Sequence, residues 1–172
     1  LSVGAYGIVN RVTFFFTMIV LGITQGMQPI VSYNYGARQF DRVTEALKKA
    51  IGLAFITLTI GFVIGETIPR FTCSLFTTDE ELLKYSIYVM RIVMCTIPII
   101  SLPIVIGNFF QSIGKAKKSI LLSLSRQVLF LTPLLLILPN FIGINGVWWS
   151  IPISDAIATI LSIFMIYRYY RK

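Results

Sequence analysis

The sequence predicts an all-α membrane protein of about five transmembrane helices. Three observations predict it. Hydrophobic residues make up 56% of the 172 and charged residues 13%, with a mean hydropathy of +0.81, against about a quarter charged in a typical soluble domain. Five apolar stretches reach the roughly 20 residues needed to cross a hydrocarbon core of about 30 Å. The basic residues gather on alternate connections between those stretches, as the positive-inside rule expects of cytoplasmic loops.

Helix A is expected over about residues 5–33 and helix B over about 46–69. Helix C covers about 85–113, helix D about 119–138 and helix E about 144–167. None of these stretches shows the strict alternation of a membrane β-barrel. Gly36 and Gly114 follow helices A and C, and Pro69 and Pro139 are placed to close B and D. Thr78 to Glu81 reads as a capping box, with the Thr78 hydroxyl at the cap, ahead of helix C.

Connection A–B carries Arg38, Arg42, Lys48 and Lys49. Connection C–D carries Lys115, Lys117 and Lys118, with Arg126 just inside helix D, and the tail carries Arg168, Arg171 and Lys172. These are eleven of the 15 basic residues. The rule puts A–B, C–D and the C-terminus in the cytoplasm, so helix A enters from outside and at least one span is expected upstream. The chain begins with Leu1, without a signal-peptide pattern, which agrees with a fragment of a longer protein.

Composition also excludes functions. There is no histidine and there are only 7 acidic residues, so a metal centre, a paired-carboxylate hydrolase or a His-dependent triad lacks its parts. The chain is expected to be no enzyme and to need no cofactor. Its net charge of +8 sits in short clusters between apolar runs, whereas a nucleic-acid domain spreads basic residues along a soluble face. Cys73 and Cys95 form no spaced framework and read as small apolar residues.

Polar residues inside the spans are the candidate functional groups. Asn10, Thr13, Thr17, Thr24 and Gln28 share one face of helix A. In hydrocarbon such a face turns toward protein or water, so it either bonds a neighbouring helix or lines a cavity. Helix C adds Ser101, Asn108, Gln111 and Ser112, and helix E adds Asp155, Thr159 and Ser162. Pro29, Pro98, Pro103, Pro133 and Pro152 each remove a backbone hydrogen bond, giving either a static kink or a hinge of the kind transporters use. Gly22/Gly26 and Gly61/Gly65 are spaced for close helix approach. Arg11, Glu66 and Arg91 lie toward the outer ends of their helices, where they can pair or snorkel. Asp155 is about eleven residues into helix E, roughly 16 Å deep. A carboxylate at that depth either binds a cation or proton or forms a structural pair, for which Arg126 is the candidate.

The segment Gly26-Met27-Gln28-Pro29-Ile30-Val31-Ser32-Tyr33-Asn34-Tyr35-Gly36-Ala37-Arg38, followed by Asp41-Arg42-Val43, resembles the multidrug and toxic compound extrusion (MATE) family. Phe109-Phe110-Gln111-Ser112-Ile113-Gly114-Lys115, Ser125-Arg126-Gln127 and the stretch from Gly146-Val147-Trp148 to Ser154-Asp155 look like it too, in the same order. The resemblance implies a twelve-helix transporter of two six-helix halves, of which residues 1–172 are a partial C-terminal lobe. It implies efflux of cationic or amphipathic compounds by Na+ or H+ antiport in a bacterial inner membrane. The implied partners are the lipid bilayer, small-molecule cationic substrates and the N-terminal lobe of the same protein, with no nucleic acid. Asp155, Asn10, Thr17, Gln28, Asn34 and Asn108 are then expected along the ion or substrate path, with Pro29 as a hinge. Helix C bears a deep carboxylate in some members but only Arg91 here. The alternative is a flippase for lipid-linked saccharides, which shares the architecture.

Overall fold

The computed structural model describes residues 1–171, so Lys172 of the basic tail lies outside the described residues. Helix A is α1 (Ser2–Gly36) and helix B is α2 (Phe40–Thr67), followed by a short α3 (Pro69–Ser74). Helix C is two pieces, α4 (Glu80–Met94) and α5 (Ile97–Ser112), bent by 51° at Cys95–Thr96. Helix D is α6 (Ala116–Leu124), a π-helical segment (Ser125–Leu131) and α7 (Thr132–Ile142), which together run as one 27-residue span. Helix E is α8 (Ile144–Tyr170). Among the described residues four stretches are long and apolar enough to cross a bilayer, and there are five when the bent pair α4–α5 counts as one span.

Several ends differ from expectation, each for a local reason. Gly36 is the last helical residue of α1, and the left-handed turn residue is Arg38 (φ 58°). Pro69 opens α3 at a first-turn position, where its missing amide costs no bond. Pro139 lies within α7, which runs on to a left-handed Gly143 (φ 60°) whose amide donates to the Pro139 carbonyl. Asp79, not Thr78, caps α4, its carboxylate accepting from the Glu81 and Leu82 amides. Gly114 does follow α5 in the left-handed region (φ 75°), as expected of a helix-ending glycine.

Helix α5 is the hub, packing against α1, α2, α6 and α8. Its Phe109 and Phe110 are fully buried and meet the Tyr169 ring of α8 edge-on at 5.8 and 5.9 Å. Gly61 and Gly65 permit a close approach: a Cβ on Gly61 would fall 2.7 Å from the Phe16 ring, and one on Gly65 would overlap the Met94 sulfur. Gly22 and Gly26 have open space instead. Exposed large apolar residues cover the outside, and α7 buries no residue at all. In lipid that surface needs no protein partner.

The two ends of the bundle differ in chemistry. At one end the Thr44 and Tyr170 hydroxyls are 3.0 Å apart and Lys115 lies over the Tyr169 ring at 4.3 Å. Connection A–B, connection C–D and the end of α8 therefore share one face. At the other end Trp148 Nε1 donates to the Tyr85 hydroxyl at 3.1 Å, and Arg91 sits 3.9 Å from Glu66. Glu66 thus pairs with Arg91 rather than with Arg11. Both cysteines are free thiols, Cys73 buried and Cys95 exposed.

The α7–α8 turn is tight: a Cβ on Gly146 would lie 2.5 Å from the Leu138 carbonyl carbon. Gly146→Ala should therefore cost about 1–3 kcal/mol by forcing backbone apart, read as a lowered melting temperature in detergent. Gly52→Ala, with nothing within 4 Å, should leave it unchanged or raise it through helix propensity.

Candidate functional site

The polar groups converge where α1, α5 and the first half of helix D meet. A cleft of about 300 Å³ there is lined by Asn108 and Gln111 of α5, Ser119 and Ser123 of α6, and Arg126 and Gln127 of the π segment, with Leu21, Pro103, Ile104, Gly107 and Leu122. At its edge Gln28 Nε2 donates to Asn108 Oδ1 at 3.0 Å, and Asn108 Nδ2 donates to the Ile104 carbonyl at 2.9 Å. The first of these bonds joins α1 to α5 directly.

Behind the cleft lies the deepest charge. Asp155 is 1% exposed, and Arg126 Nε donates to its Oδ1 at 2.7 Å. The Arg126 side chain is 40% exposed, so the guanidinium bridges the cleft and the buried carboxylate. Its place in the π segment matters: a π turn widens the backbone and shifts the side chains after it. Pro133 follows, and its missing amide cannot close the next helical bond. The Gln127 carbonyl, which closes the π turn by accepting the Thr132 amide, also accepts the Thr132 hydroxyl at 2.9 Å.

Asp155 also meets the break in helix C. Thr96, at the bend, lies against its carboxylate. Asp155 Oδ2 and Thr96 Oγ1 are both buried without a hydrogen-bond partner among the described residues. A second contact steadies the break. Pro103 cannot donate to the Ile99 carbonyl one turn back, and the Thr159 hydroxyl of α8 reaches that carbonyl at 3.2 Å while also contacting the Asp155 carbonyl at 2.7 Å. The carboxylate therefore has Oδ1 held by a cation and Oδ2 buried beside the Thr96 hydroxyl.

The sequence-predicted residues divide among several places. Asp155, Asn108 and Gln28 belong to this cluster. The threonines of the α1 stripe turn inward on their own helix: Thr13, Thr17 and Thr24 donate to the Val9, Thr13 and Leu21 carbonyls. Asn10 is exposed near the other end of α1. Asn34 faces a separate groove between α1 and α2, with its Nδ2 on the Ile30 carbonyl at 2.7 Å. Pro29 is exposed within a continuous α1, and the sharp bend lies ahead of Pro98 instead. Sequence reasoning missed Thr96, Gln127, Ser119 and Ser123. Only the Pro98 and Pro103 pair signalled an interruption near Thr96.

The family model described as MatE matches residues 1–137. A multidrug export protein MepA from Staphylococcus aureus is 23% identical over 169 residues, which is 96% of this chain and 36% of that protein. Its counterpart from Staphylococcus haemolyticus is 21% identical over the same share of each. The solved MATE multidrug transporter DinF-BH superposes with a TM-score of 0.87 at 41% identity, over 95% of this chain and 36% of that one. A MATE structure in a bent conformation superposes at 0.87 with 21% identity, over 94% and 36% respectively. The chain thus spans a little over a third of the length of the relatives it matches.

Thr159→Val should cost about 1 kcal/mol, the usual worth of an interhelical hydrogen bond in a membrane, by stranding the Ile99 carbonyl. In a Pro103→Ala background, where an amide returns to that carbonyl, thermal unfolding in detergent should show a smaller loss.

Proposed function

This chain belongs to the MatE family, and from that premise we propose that it forms part of the C-terminal lobe of a cation-coupled multidrug exporter. The relatives named as multidrug export proteins and the superposition on DinF-BH support the transport reading. In the proposal the lobe works against an N-terminal lobe of the same protein, and a central cavity opens alternately to the two sides of the membrane. The basic face, with connections A–B and C–D and the end of α8, is cytoplasmic by the positive-inside rule.

The observation that carries the coupling role is the half-satisfied carboxylate. Asp155 is buried, with Oδ1 held by Arg126 and Oδ2 beside the Thr96 hydroxyl at a helix break, outside hydrogen-bond geometry among the described residues. Such intramembrane carboxylates mark ion pathways. A Na+ or H+ arriving at Oδ2 competes with the guanidinium for the same charge. The ion then biases the conformational equilibrium through its different affinity for the two states. The substrate class consistent with this site is cationic or amphipathic small molecules, reached through the cleft edged by Gln28 and Asn108. A saccharide-lipid flippase would need free cations to meet pyrophosphate, and the cleft's one arginine is already committed to Asp155.

In cells expressing the full-length protein, Asp155→Asn should reduce ion-gradient-dependent efflux of a cationic dye to the level of cells lacking the transporter, with membrane expression near normal. Unchanged efflux would remove Asp155 from coupling.

A further inference from the structure

A second opening lies on the other side of α1. An open groove of about 730 Å³ runs between α1 and α2, lined along its length by Gly22, Gly26, Ala46, Ala50 and Leu53. A Cβ on Gly22 or Gly26 would meet nothing within 4 Å, so these glycines leave room where the Gly61 and Gly65 pair is filled. From Gly22 to Asn34 the groove follows twelve residues, about 18 Å at 1.5 Å each. That is close to the depth of one leaflet of a core about 30 Å thick.

The groove changes character at its basic end, where Arg42, Glu45, Lys49 and Asn34 line it. Lys49 and Glu45 form an ion pair at 2.7 Å, so the mouth carries two cations against one carboxylate. Asn34 is 8% exposed, its Nδ2 is committed to the Ile30 carbonyl, and its Oδ1 is buried without a partner among the described residues. A buried acceptor without a donor carries a desolvation penalty, and one lining an open groove invites a ligand hydroxyl or amine. An elongated apolar trough, a net positive mouth and an unfilled acceptor describe an amphiphile with an anionic, hydrogen-bond-donating headgroup.

We propose that the α1–α2 groove binds an anionic phospholipid with headgroup hydroxyls, its acyl chain along Gly22 and Gly26, its phosphate at Arg42 and Lys49, and a hydroxyl on Asn34 Oδ1. The site is separate from the Asp155 cluster and does not depend on its role.

The test reconstitutes full-length protein with equal amounts of phosphatidylglycerol and phosphatidylcholine and reads retained lipid by native mass spectrometry. Wild type should retain phosphatidylglycerol over phosphatidylcholine by about fivefold, the scale of one basic-residue contact to an anionic lipid. Arg42→Gln should lose most of that preference. Gly26→Leu, which fills open space, should expel the bound lipid without lowering the melting temperature. Equal retention of the two lipids by wild type would overturn the proposal. So would undiminished phosphatidylglycerol in both variants, or a groove that retains no lipid because another protein segment covers it. If Gly26→Leu fails to fold, Arg42→Gln, at an exposed position, decides alone.

Discussion

A carboxylate in the middle of a membrane helix must find a partner, and the arrangement of helices C, D and E follows from how Asp155 finds one. Its charge is 1% exposed and lies 2.7 Å from the Arg126 guanidinium. An unpaired charge at that depth costs several kcal/mol even after local relaxation. The π segment of helix D holds Arg126 where it meets Asp155, and α8 packs against both the π segment and α5. The pair thus ties helix D to helix E beside the bend of helix C. The ion pair engages Oδ1 alone, and in the proposed mechanism a proton or small cation acts at Oδ2, beside Thr96.

Backbone accounting explains much of the remaining polarity. Hydrocarbon offers no water to an unpaired carbonyl, so each proline inside a span creates a demand elsewhere. Thr159 answers the carbonyl freed by Pro103. Threonines that look like cavity lining on a helical wheel are often occupied in this way, as Thr13 and Thr17 are on α1. The side chains that reach across helices are instead Gln28, Asn108, Arg126 and Asp155. To these Asn34 adds a buried acceptor with no donor among the described residues.

Much of this was legible in the sequence. Hydropathy located every span, because a run of apolar residues at membrane length has few other uses. The depth of Asp155 and the place of Arg126 near the start of helix D make their pairing a candidate on sequence alone. The α4–α5 bend was not legible to the residue, since Pro98 and Pro103 allow a continuous kinked helix as readily as a break at Thr96. The π segment left no signal beyond Pro133, because widening by one residue depends on what α8 presents to it. The sequence places Asn34 and Gln28 along one path, whereas they face different openings. At about 100° per residue their separation of six residues turns the side chain some 240°, toward α2 and a different opening.

The central claim, that the Arg126–Asp155 pair holds this cluster together, is tested most directly by a double-mutant cycle on thermal stability in detergent. Arg126→Met alone should cost about 3 kcal/mol, the low end for breaking a buried pair, because it strands a buried carboxylate. Adding Asp155→Leu should recover much of that loss, since no charge is then left unpaired. Strict additivity of the two substitutions, with no recovery in the double mutant, would contradict the account.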